Sequence, residues 1–280
     1  MKYRKLVALF WISITLLCSS CTLFPVLDSD PITAILGAFD EEVTILQKQL
    51  TGIQEQEIEG ISFVTGRLRG KRVVIAWTGI GKVNAAMTTT LLIEHFRPNE
   101  VVFTGIAGGI NPDLQPGDIV IAAKTAQHDL CRITPDGIEN FGVHNPANQK
   151  RNPVFFQADE RLVKLAELSA KQVAPEKIKT SAGQRAPKII KGVVVTGDAF
   201  IASPESCTEL RNRLGADAVE MEGAAVAQIC YQRNVPCIVI RSISDKANEK
   251  AVEDVEKFYK MAARNSASLV VEMVAMSLKD

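Results

Sequence analysis

From Ile32 onward the chain alternates short, continuous apolar runs with segments of helical spacing, and this constrains the fold more than any other feature. Runs without strict in-and-out alternation suit strands covered on both faces, so a sheet between two helical layers is expected. Strands are expected at residues 32–39, 73–77, 101–104, 118–122, 189–195 and 237–243, and helices at 40–50, 83–95, 160–171, 205–214, 222–232 and 252–278. The pattern defines an α/β fold: a single three-layer αβα domain with a central mixed β-sheet over residues 32–280. A length of 280 residues leaves room for two domains at about 150 each, but no linker or change of composition follows Pro31. Residues 130–157 break the regularity. Pro135, Gly137, Gly142, Pro146 and Pro153 mark a long loop, with Lys150 and Arg151 near its tip and Phe141, Phe155 and Phe156 as candidates to cover a ligand.

The start of the chain obeys a different logic. Lys2, Arg4 and Lys5 precede an apolar run from Leu6 to Leu17, and Ser19 and Ser20 lead into Cys21. This is the layout of a secretory signal, and the run is too short for the ~20 residues of a membrane-spanning helix. Residues 17–21, Leu-Cys-Ser-Ser-Cys, resemble the lipobox of bacterial lipoproteins, although Cys18 stands where leucine is usual. The expectation is therefore a signal peptide over residues 1–20, a lipid on Cys21, a tether over 21–31, and a protein exported to the periplasmic or outer face of a bacterial membrane.

Thirty-two basic side chains balance thirty-two acidic ones, which gives no support for nucleic-acid binding. Loss of Lys2, Arg4 and Lys5 with the signal would leave the mature chain mildly acidic. The scattered histidines 95, 128 and 144 and the cysteines 131, 207, 230 and 237 have no metal-site spacing, so no metal is expected. Cys230 and Cys237 are expected to be buried thiols.

Gly79-Ile80-Gly81-Lys82 lacks the serine or threonine and the first glycine of a phosphate loop. Asn84 also occupies the third glycine position of a dinucleotide fingerprint. What holds instead is a set of acidic and glycine-bearing turns at expected strand ends: residues 37–43 (GAFDEEV), 104–109 (TGIAGG), 219–225 (VEMEGAA) and 241–245 (RSISD). Singly, each has a structural explanation. Acidic residues 40–42 complement a helix N-terminus, glycines 105, 108 and 109 permit a tight turn, Glu222 opens a helix and Asp245 caps one.

Together with residues 78–86 (TGIGKVNAA) and 197–201 (GDAFI), these segments resemble, in order and spacing, the 5′-methylthioadenosine/S-adenosylhomocysteine nucleosidases of the purine nucleoside phosphorylase superfamily. The resemblance implies cleavage of the bond between adenine and a 5′-substituted ribose without a cofactor. It implies that Asp245, oriented by Ser244, protonates the purine N7, and that Glu42 positions and deprotonates the attacking water. Glu222 would accept the ribose hydroxyls, with Met221 packed on the sugar and Arg241 near Glu222 and the water. Phe200 would stack on adenine, backbone groups of Ile201 would read its edge, and Ile80, Ala107, Gly108 and Glu220 would complete the substrate-binding set. The resemblance further implies a homodimer in which the partner's loop closes the 5′ pocket.

Cleavage of such a bond builds positive charge on the sugar and negative charge on the base, so an acid and an anion are both required. A carboxylate at residue 42 opposes a phosphate dianion and favours hydrolysis over phosphorolysis. The departures from the family pattern, Phe39, Ile106, Asp136 and Val255, concern the part that holds the 5′ group and leave its identity open. Two other readings stand beside this one: a purine nucleoside phosphorylase, and a surface lipoprotein that uses the same fold for binding.

Overall fold

Successive side chains of a strand point to opposite faces of a sheet. In the computed structural model, which describes residues 30–180 and 183–277, those faces lead into two separate cores. Ala34, Leu36, Val74, Ala76, Val101 and Phe103 pack with Leu92, Ile93 and Val226. Their chain neighbours Ile35, Val73, Ile75 and Val102 pack with Val43, Leu46, Leu165, Leu269 and Val270. Each fully buried aliphatic side chain contributes roughly 1.5–3 kcal/mol, so the sheet is held from both sides. The expected three-layer αβα arrangement is the observed one.

The elements in chain order are β1 (Thr33–Gly37), α1 (Asp40–Gln47), β2 (Thr51–Ile58), β3 (Ile61–Leu68), β4 (Lys71–Trp77), α2 (Lys82–Phe96), β5 (Glu100–Gly109), β6 (Ile119–Gln127), β7 (Cys131–Thr134), β8 (Gly137–Asn140), β9 (Phe155–Gln157), α3 (Glu160–Ser169), β10 (Ile178–Thr180), β11 (Gly183–Arg185), β12 (Ile189–Thr196), α4 (Pro204–Leu214), β13 (Ala218–Glu220), α5 (Gly223–Arg233), β14 (Cys237–Asp245) and α6 (Ala251–Met276). The main sheet runs β13-β12-β6-β14-β5-β1-β4-β3-β2, and β13 also pairs with β5. That extra pairing closes β5, β14, β6, β12 and β13 into a ring. The sheet is mixed: β1 is parallel to β4 and β5, and β14 to β5, whereas β6 and β14 are antiparallel.

Helix boundaries follow local chemistry. The Ser203 hydroxyl accepts the Ser206 N–H at the start of α4, Pro204 occupies the first turn, and Gly215 ends the helix in the left-handed region. Asp159 caps α3 by accepting from Leu162 N.

Four expectations change. The β2–β3 hairpin is an element the sequence reading lacks. β5 continues through Gly109 and does not end at Thr104, so glycines 105, 108 and 109 lie in a strand and none has a positive φ. The expected long loop contains the β7–β8 hairpin and β9. Cys237 is half-buried, beside the buried thiol of Cys230. The described residues from Pro31 onward form one compact unit. The expected signal segment, Cys21 and the tether as far as residue 29 lie outside the described residues. Among the described residues, no helix is long and apolar enough to cross a membrane.

Candidate active site

The C-terminal end of β5 carries the site. Its partner β14 pairs Arg241 with Gly105 and Ile243 with Ala107, then shifts register so that Asp245 faces Gly108. Ser244 is the extra residue of this bulge, a device that re-aims a side chain next to a site. The Asp245 carboxyl lies with Oδ1 3.0 Å from where a Cβ on Gly108 would stand. Ser244 Oγ donates to Asp245 Oδ2 at 2.8 Å, and Ala247 N donates to Oδ1 at 2.7 Å. Burial raises the Asp245 pKa from its ordinary value, against the opposing effect of those two hydrogen bonds.

Glu42 reaches the same strand from α1. Its Oε2 accepts from Ala38 N at 2.7 Å and from the N-cap Phe39 N at 3.1 Å, half of a capping box, since the Phe39 ring has no acceptor to return the bond. Its Oε1 accepts from Ile106 N at 3.0 Å. Ile106 and Gly108 are two residues apart, so the anchor points of Glu42 and Asp245 are separated by about 7 Å along β5. The side chain of Glu42 is buried, and desolvation raises its pKa from 4.5 to about 7 although Arg241 pulls the other way. Gly105 makes this arrangement possible. A Cβ there would stand 2.7 Å from both Arg241 Nη1 and Glu42 Oε1.

Three carboxylates surround the one guanidinium. Arg241, buried over the ring of Phe103 at 4.1 Å, donates from Nη2 to Glu220 Oε2 at 2.6 Å. Glu220 was expected against the substrate, but its oxygens already accept from Thr196 Oγ1, Glu222 N, Gly223 N and Arg241. It therefore holds Arg241 and satisfies the unpaired N–H groups at the start of α5. Glu222 is the N-cap residue of α5, and burial together with the charge of Glu220 raises its pKa to about 8.

The rejected phosphate-loop segment has a different use. Gly81, at a φ of 94°, donates its N–H to Glu222 Oε1 at 2.8 Å, and Lys82 N donates to Asp198 Oδ1 at 2.8 Å. Carboxylates from distant parts of the chain thus satisfy the start of α2. Asp129 completes the tie, bonding Lys82 Nζ at 2.6 Å through Oδ1 and accepting from Asp198 N at 3.0 Å through Oδ2. It joins the turn that holds Glu222 to the segment carrying Phe200 and Ile201.

The other expected residues lie around these. Ala107 is buried and its carbonyl accepts from Ser244 Oγ at 3.3 Å. Met221 is half-buried between Glu220 and Glu222, and Ile201 is half-buried. Phe200 and Ile80 are about half exposed. Three of the four departures from the family pattern gather in one place: Phe39, Ile106 and Val255 pack together with Tyr259, whose ring meets Phe39 edge-on at 5.5 Å. The fourth, Asp136, lies in the β7–β8 turn. Thr196, Asp129 and Tyr259 are additions that sequence spacing did not single out, and Gly105, expected as a turn glycine, instead makes room for Arg241 and Glu42. Among the described residues, no three His, Cys, Asp or Glu side chains are grouped to hold a metal ion.

The chain as a whole is similar to known proteins. Residues 32–275 match the family described as the Phosphorylase superfamily. A 5′-methylthioadenosine/S-adenosylhomocysteine nucleosidase of Anoxybacillus flavithermus is 40% identical over 242 residues, which is 86% of this chain and 97% of that protein. The nucleosidase of Neisseria meningitidis, solved with methylthio-immucillin-A, is 35% identical with a TM-score of 0.75, covering 88% of this chain and 99% of its own. The futalosine hydrolase of Helicobacter pylori is 32% identical with a TM-score of 0.73, covering 88% and 98%. The chain belongs to the phosphorylase superfamily, and within it to the 5′-methylthioadenosine/S-adenosylhomocysteine nucleosidase family.

Proposed function

We infer that the protein hydrolyses the N-glycosidic bond of adenine nucleosides such as 5′-methylthioadenosine, S-adenosylhomocysteine and 5′-deoxyadenosine, giving adenine and the 5-substituted ribose. The observation that carries this reading is the attachment of Glu42 and Asp245 to one short stretch of β5, close enough for a single nucleoside to lie between them.

Asp245, whose protonated form burial favours, is the group that donates a proton to the purine N7, which turns the base into a neutral leaving group. Positive charge then grows on the ribose. Glu222 accepts the sugar hydroxyls, and Met221 and Phe200 bracket sugar and base. Glu42, with a pKa of about 7, takes a proton from the attacking water at neutral pH. Arg241 keeps the surrounding carboxylates from repelling one another.

The same charges separate hydrolysis from phosphorolysis. Arg241 is already paired with Glu220 and so is not available to a phosphate dianion, which the ionised form of Glu42 would repel. The Phe39–Ile106–Val255–Tyr259 cluster supplies an apolar neighbourhood for a thioether or methyl group at the 5′ position.

Export and assembly belong to this proposal as well. The basic and apolar start of the chain and Cys21 support a lipid-anchored enzyme that recovers adenine outside the inner membrane. Trp77 at the end of β4, Ile80 in the following turn, and Val83 and Met87 in α2 are exposed apolar side chains, which supports a homodimer. Incubation with methylthioadenosine in phosphate-free buffer tests the activity directly. Free adenine is expected without added phosphate, and release that requires phosphate would replace the reading by phosphorolysis.

A further inference from the structure

A cavity of about 440 Å³ lies between the C-terminal half of α5, the start of β14, the end of β6 and residues 145–152. Its size is within the roughly 300–1,000 Å³ of small-molecule sites. It is separate from the nucleoside site. Glu222 caps one end of α5, whereas Tyr231 and Asn234 line the cavity at the other, about 16 Å along the helix. On β14 the cavity reaches Val239, six residues and about 20 Å before Asp245.

Sheet geometry opens this space. β6 and β14 pair only from Ile119 to Ile121 and then part, and β9 takes up the vacated edge of β6 at Lys124 to Ala126. Ala227, Ile238 and Val239 give an apolar floor, and the edge-on pair of Phe156 and Tyr231 gives an aromatic wall. The charged lining is one-sided: Lys124, Lys150 and Arg151 stand against a single carboxylate, Asp159, which already accepts from Leu162 N. In a chain of zero formal charge this local excess is not background.

Three lining side chains are polar and almost fully buried, Thr125 at 2%, Asn152 at 3% and Asn145 at 4% exposure. Among the described residues, Thr125 Oγ1 and Asn152 Nδ2 have no hydrogen-bond partner. Buried polar groups are nearly always paired, and those that are not often accompany a bound water, ion or ligand.

We propose that this cavity is a second binding site, for a small organic anion with a planar or apolar body and a hydrogen-bonding substituent. The body lies on the floor beside Tyr231, the anionic group meets Lys150 and Arg151 at the rim, and Asn152 and Thr125 supply the polar contacts. The site stands independently of the nucleosidase reading.

The test uses the full-length protein and 8-anilinonaphthalene-1-sulfonate, an organic anion with a flat apolar naphthalene body whose fluorescence rises in apolar surroundings. Its neutral relative N-phenyl-1-naphthylamine is titrated in parallel. One equivalent of the sulfonate is expected to bind in the presence of saturating adenine, at least tenfold tighter than the neutral dye. Binding is expected to weaken tenfold or more in the Lys150→Glu/Arg151→Glu double variant, whose changes are exposed, and several-fold in Thr125→Val. Absence of saturable binding, equal affinity for the neutral dye, unchanged affinity in the charge-reversed variant, or displacement by adenine would each overturn the proposal.

Discussion

Arg241 and Glu220 form an ion pair of 2.6 Å with side chains 1% and 3% exposed, joining β14 to the end of β13 two residues before Glu222. Two further buried carboxyls, Glu42 and Glu222, feel the same guanidinium. Removal of one partner from a buried pair leaves an uncompensated charge. Arg241→Met is therefore expected to cost roughly 3–5 kcal/mol of folding stability in urea titrations, and Glu220→Gln a comparable amount, because it takes the carboxylate from the guanidinium and sets an NH2 group against N–H donors.

The raised pKa values make stability depend on pH. Glu42 moves from 4.5 to about 7 and Glu222 from 4.5 to about 8, so between those limits the folded chain binds more protons than the unfolded one. Stability attributable to these groups is complete below about pH 4.5 and falls as pH rises to 7–8. Denaturation at pH 5 and pH 8 should show a loss at the higher pH that shrinks in Glu222→Gln. The rising limb of kcat/KM should lie near pH 7, where Glu42 loses its proton.

Gly105→Ala tests the crowding at the centre. A methyl group 2.7 Å from both Arg241 Nη1 and Glu42 Oε1 forces one of them to move. The expected cost is about 1–3 kcal/mol of stability, together with a loss of kcat larger than any change in KM.

Asp129→Asn should loosen the link between the turn holding Glu222 and the segment carrying Phe200. Because Asp129 is tied to Lys82 and Asp198 and not to either Glu42 or Asp245, KM for the nucleoside is expected to rise several-fold with a smaller change in kcat. Steady-state kinetics separates the two, and an unchanged KM would remove the positioning role.

The layered fold was legible because the buried strands carry unbroken apolar runs, each feeding both cores. β2 was not, since seven of its eight residues are exposed and show no apolar periodicity. Gly105, Gly108 and Gly109 read as a turn because glycine is depleted in strands. Their place in β5 follows from tertiary crowding by Arg241, Glu42 and Asp245, which local sequence does not contain. The motif residues Glu42, Glu222, Arg241 and Asp245 were recognisable in register, but the contacts that fix their chemistry were not. Asp129 bonds groups 47 and 69 positions away, and Glu222 is held from a distance of 141 positions.

The decisive measurement follows adenine release from methylthioadenosine by the wild type, Glu42→Gln and Asp245→Asn, with circular dichroism to verify folding. Each variant is expected to keep the native spectrum and lose about 100- to 10,000-fold in rate, the range for removing a general acid or base. Wild-type turnover in either folded variant would contradict the account.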